Sequence, residues 1–439
     1  MSYSKLKRIL LGILIILSIY LSFRIWVPNI SEVDNNDIPT ENRIPGTLVD
    51  RDIHDVYAPR NFIYHVEEST DRAVELKPEV FNDVYTDFVD SLLLEELEPG
   101  DTIPHNTYFN ALVNQSEVME FVFSELIPFG ILADNFNEMP VDLADTQFNR
   151  ILIDLNDDSL IRFYNTKSEI MADVEVSDMN LDLLSDQVNA DNTLYDVYSQ
   201  RFQADFAYLP VNPVTLDSQS FLVERLPNNL YTSYFFPDPS DVELRVSNNI
   251  SRYIDPSTEL RINNSTNVLT YFSQMSDLNE LTRSDRFVTS INELNTVENW
   301  TNAIKYVGIN EQTKELYFRR YFNNYPIFSD GDFSSVSEVA VFEQGLSHLK
   351  LPLRVIQTPI TIEEDSDRTL ASGIAVVNIL SNVIEPDQIQ DLAIGFKWVD
   401  SEESSQVVEF EPMWFIKESD VWTDVESYIE AEGGSTDGL

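Results

Sequence analysis

The sequence predicts an α+β protein: a single N-terminal transmembrane helix followed by a multidomain extracytoplasmic region of helices and antiparallel sheets. Three observations carry that expectation. Residues 9–23 (ILLGILIILSIYLSF) are an uncharged apolar run between Arg8 and Arg24. Apolar residues recur at helical spacing in the segments that begin at Pro78 and Arg283. Elsewhere, pairs of β-branched and aromatic stretches flank short polar turns, the pattern of antiparallel hairpins.

The charge distribution supports the first element. The chain of 439 residues holds 28 Lys and Arg against 75 Asp and Glu, a formal charge of −47. Lys5, Lys7, Arg8 and Arg24 are set apart from this excess, because residues 1–26 contain no acid. Basic residues before the apolar run keep the N-terminus in the cytoplasm, and the rest of the chain follows on the outer side. The run is short for a span of about 20 residues, and Arg24 snorkelling beside Tyr20 and Trp26 completes it. Residues 22–28 (SFRIWVP) offer no small-x-small cleavage site, so the segment reads as an uncleaved anchor at the cell membrane. Ser18 and Ser22, with Ile15 on the same face, form a small-xxx-small surface on which another membrane helix could pack.

Residues 1–28 are thus the cytoplasmic N-terminus and anchor, and residues 29–49, poor in large apolar side chains, a linker. An N-terminal α+β domain is expected over residues 50–203. In it, Val80, Val84, Phe88 and Leu92 mark a helix stopped by Pro99-Gly100, residues 116–126 read as a second helix, and residues 148–164 form a hairpin about Asn156-Asp157-Asp158. A weakly amphipathic stretch, residues 181–202, closes it. A proline-studded central domain, residues 204–282, contains a hairpin of residues 259–263 and 267–272. The third domain, residues 283–431, opens with a helix through Val288, Ile291 and Leu294. It continues with a hairpin of residues 303–309 and 314–322, a short buried helix at residues 373–380, and strands in which Leu392, Ile394, Phe396 and Trp398 share a face that Val408 and Phe410 complete. Residues 432–439 are a tail.

The same inventory excludes most chemistry. So acidic a chain repels phosphate backbones, which argues against nucleic-acid binding. Without cysteine there are no disulfides, thiolate nucleophiles or Cys-ligated metals. Four histidines, His54, His65, His105 and His348, form no H-E-x-x-H pair, and G-x-S-x-G, G-x-G-x-x-G and Walker loops are missing. Paired acids such as Glu363/Glu364 and Asp365/Asp367 raise a glycosidase reading, but 75 acids produce such pairs by composition. Residues 154–158 (DLNDD) begin like an EF-hand loop, yet Ser159 stands where glycine is needed and Asn165 where glutamate is, so a hairpin turn is the better reading. No catalytic residue, metal ligand or cofactor is assigned.

The short basic N-terminus, the single span and the long cysteine-free remainder resemble the YycH family. More specific are Leu209-Pro210, residues 222–229 (LVERLPNN) and 235–240 (FFPDPS), which are similar to that family's central section. Trp300-Thr301, residues 317–328 (YFRRYFNNYPIF) and residues 408–416 (VEFEPMWFI) resemble the module that YycH shares with YycI. The likeness departs at Asn324, where glycine before Tyr-Pro is more usual, and at Glu298-Asn299, where a Gly-rich pair is. The resemblance implies a non-enzymatic regulator that associates with the WalK sensor histidine kinase and with YycI and tunes expression of cell-wall hydrolases. Trp300, Tyr325, Pro326, Trp398 and Trp414 then become a possible interaction motif. Aromatics at strand ends are more often core or corner residues, and the sharper reading is a peptide or wall-fragment groove. A surface protein that binds or modifies the wall is the alternative function.

Overall fold

The computed structural model describes residues 51–65, 72–74, 78–108, 117–189, 194–203, 205–274, 281–299, 301–360 and 367–436. The expected anchor, with Ile15, Ser18 and Ser22, lies outside the described residues, and so does Trp300. Among those described, no helix is long and apolar enough to cross a membrane. The fold is α+β, and its sheets are almost wholly antiparallel.

The first sheet has ten strands. Val118–Pro128 lies inside it, with Asn61–His65 on one side and Gln147–Asp154 on the other, and Phe206–Pro210 forms one end. Of the stretch expected to be helical, the described residues, 117–126, are therefore not helical. Val118, Met119, Phe121, Val122 and Phe123 are all buried, because both faces of this strand are covered, and an apolar run without alternation mimics a helix in sequence. The expected hairpin is present as Gln147–Asp154 and Leu160–Asn165, with Asn156 N–H donating to Asp154 and Ser159 N–H to Asp157 across the turn. Helix Pro78–Ser91 packs Val84, Tyr85, Phe88 and Val89 on the sheet. It stops well before Pro99-Gly100, because Leu93–Leu94 pairs with strand Ile170–Asp178. The stretch after Leu181 divides into helix Leu181–Asn189 and strand Leu194–Arg201.

The second large sheet has fourteen strands and draws on residues from both the central and the C-terminal segments. Thr258–Asn263 and Val268–Ser273 form the expected hairpin, whose second strand pairs with Gly345–Pro352. Ala303–Ile309 and Leu316–Phe322 form another. Tyr325–Phe328 then runs parallel to Asp391–Asp400, joining two antiparallel halves. Phe322 reaches Tyr325 through Asn323-Asn324, both at positive φ (48° and 60°), the backbone that a two-residue hairpin turn requires and that asparagine tolerates. Asn324 thus fills the role of the glycine usual in the resemblance. Gly395 has a stricter reason, since a Cβ there would lie 2.6 Å from Pro326 O and from Phe328.

Helix Arg283–Val297, capped by Thr282 accepting from Asp285 N–H, carries Phe287, Ile291 and Leu294 into the core shared by the two sheets. Tyr57 stacks on Phe287 with centroids 5.3 Å apart and donates its hydroxyl to Phe287 O. Helix Gly373–Leu380 lies where expected. In the register of Asp391–Asp400 with Val407–Glu418, Ile394 opposes Trp414 and Trp398 opposes Phe410. Leu392, Phe396 and Trp398 are buried and share the expected face, but that face serves two clusters. Leu392 and Trp414 belong to one, and Phe396, Trp398, Val408 and Phe410 to the other.

Candidate functional site: the cleft between the large sheets

The two large sheets leave between them an open cavity of about 190 Å³. Its first wall is made by an irregularity in strand Val118–Pro128. Val122 opposes Arg150 and Ile127 opposes Phe148, so residues 123–126 on one strand face only Asn149 on the other. Such a bulge breaks the ladder and re-aims side chains, and Phe123, Ser124 and Glu125 line the cleft as a result. The second wall comes from Arg319, Tyr321, Pro326 and Phe328, the third from Asp391, Lys417 and Trp422.

Five cations line this space, Arg60, Arg150, Lys167, Arg319 and Lys417, against four acids. In a chain of charge −47 this is a local reversal of sign. Every cation is bound to a carboxylate. Arg60 meets Asp391 at 2.6 Å, Arg150 meets Asp205 at 3.1 Å and Lys167 meets Glu125 at 2.5 Å. Lys417 lies 3.4 Å from Asp420. Arg319 holds Asp332 with both terminal nitrogens, at 2.8 and 3.1 Å, donates to Ile327 O and stacks 4.3 Å over Phe328.

Behind the cleft, Arg150 continues into a buried polar centre on the first sheet. Its Nε lies 3.3 Å from Glu120 Oε1, and Glu120 also accepts from Tyr108 and Tyr208 and bonds His65 Nε2 at 3.0 Å. Burial alone would raise the Glu120 carboxyl. The hydrogen bond and charge of His65, the charge of Arg150 and the Tyr208 hydroxyl outweigh it and hold the group below the usual glutamate range. Burial likewise works against the Arg150 cation, but Asp205 and Glu120 raise its pKa above the ordinary arginine value. Beside the cleft, Lys305 is buried and donates to Pro59 O and to Asn324 Oδ1, and desolvation brings it down to about 7.

The residues singled out from sequence do not converge on one place. Pro326 lines the cleft. Tyr325 packs edge-on against Phe396, and Trp398 lies beside Phe410 with its Nε1–H donating to Asp400. Trp414 sits in the other cluster and donates to Ala371 O. The cleft cations were missed, although a signal existed. Arg150 within FNRILIDL and Arg319 within YFRRYF are charges inside otherwise apolar strands, which must be paired if buried. Their partners, distant in sequence, are supplied only by the fold.

The acids lining the cleft each face a cation, and Glu120 behind it is stabilised as the anion. No group of three or more Asp, Glu or His that could hold a metal occurs among the described residues.

Comparison with known proteins adds the lineage. The chain matches the family model described as the YycH protein, N-terminal domain, over residues 4–193, and that of the YycH protein, C-terminal domain, over residues 204–433. It is 22% identical over 445 residues to the two-component system WalR/WalK regulatory protein YycH of Bacillus subtilis (strain 168), covering 95% of each chain. The crystal structure of YycH from Bacillus subtilis superposes with a TM-score of 0.69 at 17% identity, covering 86% of this chain and 98% of that one, a likeness of fold. With family models matching on both sides of residue 200 and an architecture that agrees, the chain belongs to the YycH family.

Proposed function

We propose that this chain is a non-enzymatic regulator of a WalR/WalK-type two-component system. It modulates the WalK sensor kinase together with YycI and so controls genes of cell-wall metabolism. The observation that carries the reading is the end-to-end match to a regulatory protein of that system, with 95% of both chains aligned. The acids of the cleft, each engaged by a cation, support a recognition role.

In this reading the apolar run of residues 9–23 anchors the chain in the cell membrane with its N-terminus inside, and the folded region lies outside. The face of Ile15, Ser18 and Ser22 packs on a partner helix, because small side chains let two helices approach closely. Two experiments test the proposal. Affinity capture of the detergent-solubilised full chain recovers the kinase and YycI. Capture of neither, with binding of the folded region to peptidoglycan, contradicts it and favours a wall-binding protein. Ser18→Leu with Ser22→Leu weakens capture while the helix still inserts, and unchanged capture moves recognition to the folded region.

A further inference from the structure

The fourteen-stranded sheet ends on an open edge. Its terminal strand, Glu243–Ser247, pairs with Ile250–Ile254 and has no neighbour on its other side among the described residues. All five of its residues are exposed. Asn248 and Asn249 join the two strands with φ of 48° and 61°, a two-residue turn in which the flanking pair, Ser247 and Ile250, is hydrogen-bonded. Alternation along an antiparallel ladder then turns the backbone groups of Glu243 and Arg245 inward, and those of Val242, Leu244 and Val246 toward the open edge.

The two faces of this edge differ. Leu244 and Val246 are 54% and 67% exposed. They stand on the face that carries Tyr253, Leu260 and Tyr271 in the next strands, beside an apolar groove of about 330 Å³ lined by Phe236, Pro237, Val242, Leu244 and Tyr253. On the opposite face Arg245, Arg252 and Arg261 align in register across three strands. Glu243 binds Arg245 through both oxygens, at 2.8 Å each, and Glu259 binds Arg261 at 2.6 Å while lying 3.8 Å from Arg252. Three guanidiniums thus share two carboxylates, although like charges directly opposed across strands are destabilising.

We propose that this edge pairs antiparallel with the same edge of a second copy of the chain, with the two-fold axis at Leu244. Outward-facing residues must meet outward-facing residues, so the candidate centres are Glu243, Leu244 and Arg245. Centring on Glu243 opposes two glutamates and centring on Arg245 opposes two arginines. Only the Leu244 register sets Glu243 of each copy against Arg245 of the other, as non-hydrogen-bonded pairs whose side chains lie closest. It also opposes Val242 of one copy to Val246 of the other, next to the Phe236 and Pro237 groove, and covers both exposed apolar residues. A symmetric interface must be self-complementary, and this one is in both charge and apolar surface. One short strand per copy falls below the roughly 1,200 Å² of a stable interface, so the dimer is weak and concentration-dependent.

The absence of cysteine makes the test direct. Opposed residues on paired strands lie about 5.5 Å apart, within disulfide reach. In the full chain in membranes under mild oxidation, Leu244→Cys gives disulfide-linked dimer in clear excess over Glu243→Cys and Arg245→Cys. Adding Arg245→Glu to Leu244→Cys lowers the yield about fivefold, the size of two cross-strand pairs lost by symmetry, and adding Glu243→Arg as well restores it. All these side chains are exposed, so thermal melting serves as the folding check. No dimer from Leu244→Cys, a maximum at Glu243 or Arg245, or a double reversal as weak as the single one overturns the proposal.

Discussion

Arg60 Nη1 lies 2.6 Å from Asp391 Oδ2, joining the residue just before strand Asn61–His65 of the first sheet to the start of strand Asp391–Asp400 in the second, across 331 residues of sequence. Both side chains are mostly buried. Burial opposes the Arg60 cation, but the charge and hydrogen bond of Asp391 raise its pKa above the ordinary arginine value. Two further contacts hold the same corner: Lys305 donates to Pro59 O, and Asn324 Nδ2 donates to Arg60 O.

This tie predicts measurable coupling. Arg60→Ala and Asp391→Ala each lower stability, and the double variant loses less than their sum by about 1 kcal/mol or more, because each single variant strands a charge. Chemical denaturation of the four proteins gives the number. A sum equal to the double variant places the pair among exposed ion pairs of little consequence.

Lys305 gives the fold a pH dependence of definite sign. Its folded pKa is near 7 and its ordinary value is 10.5. Between those values the unfolded chain holds a proton that the folded chain lacks, so this group's contribution to stability rises with pH across that window. Lys305→Met removes the titrating amine and flattens the rise from pH 7 to pH 10. Thermal melts of the two proteins at stepped pH check this.

Glu120 acts at the acid end. Its folded pKa is depressed, so its stabilising effect is present above the ordinary glutamate value of 4.5 and is lost as pH falls through the lower folded value. Glu120→Gln removes the partner of Arg150 and His65 in a closed interior and costs about 3 to 5 kcal/mol at pH 7. The variant should also show a shallower acid limb in a pH titration of stability.

Gly395 tests the parallel pairing that joins the two halves of the large sheet. Its absent Cβ would fall 2.6 Å from Pro326 O, a backbone atom that cannot swing away. Gly395→Ala should therefore cost about 1 to 3 kcal/mol by overpacking, read as a lowered melting temperature. Gly433, where nothing lies within 4 Å of a Cβ, is the control for crowding, although its φ of 76° adds strain of its own.

Hairpins with polar turns, such as Thr258–Asn263 with Val268–Ser273, were legible in sequence because one face is dry and the other wet. So were the helix over Val288, Ile291 and Leu294 and the shared face of Phe396 and Trp398. Val118–Pro128 was not, because burial on both sides erases alternation and leaves an apolar run that fits helix and strand alike. Short strands such as Arg72–Val74 and Asp101–Thr102 exist only through their neighbours. The cleft was hidden for the same kind of reason. Arg150 and Arg319 announce buried charge by their setting, but Asp205 and Asp332 are chosen by topology, and in a chain with 75 acids no spacing rule selects them.

The regulatory role itself is tested most directly by deleting this chain from its host and measuring the phosphorylated fraction of the WalR-type response regulator at unchanged kinase level. The account predicts a shifted fraction and a matching change in cell-wall hydrolase transcripts, restored by the full chain and not by a chain lacking residues 1–28. A phosphorylated fraction and transcripts identical with and without the chain would contradict it.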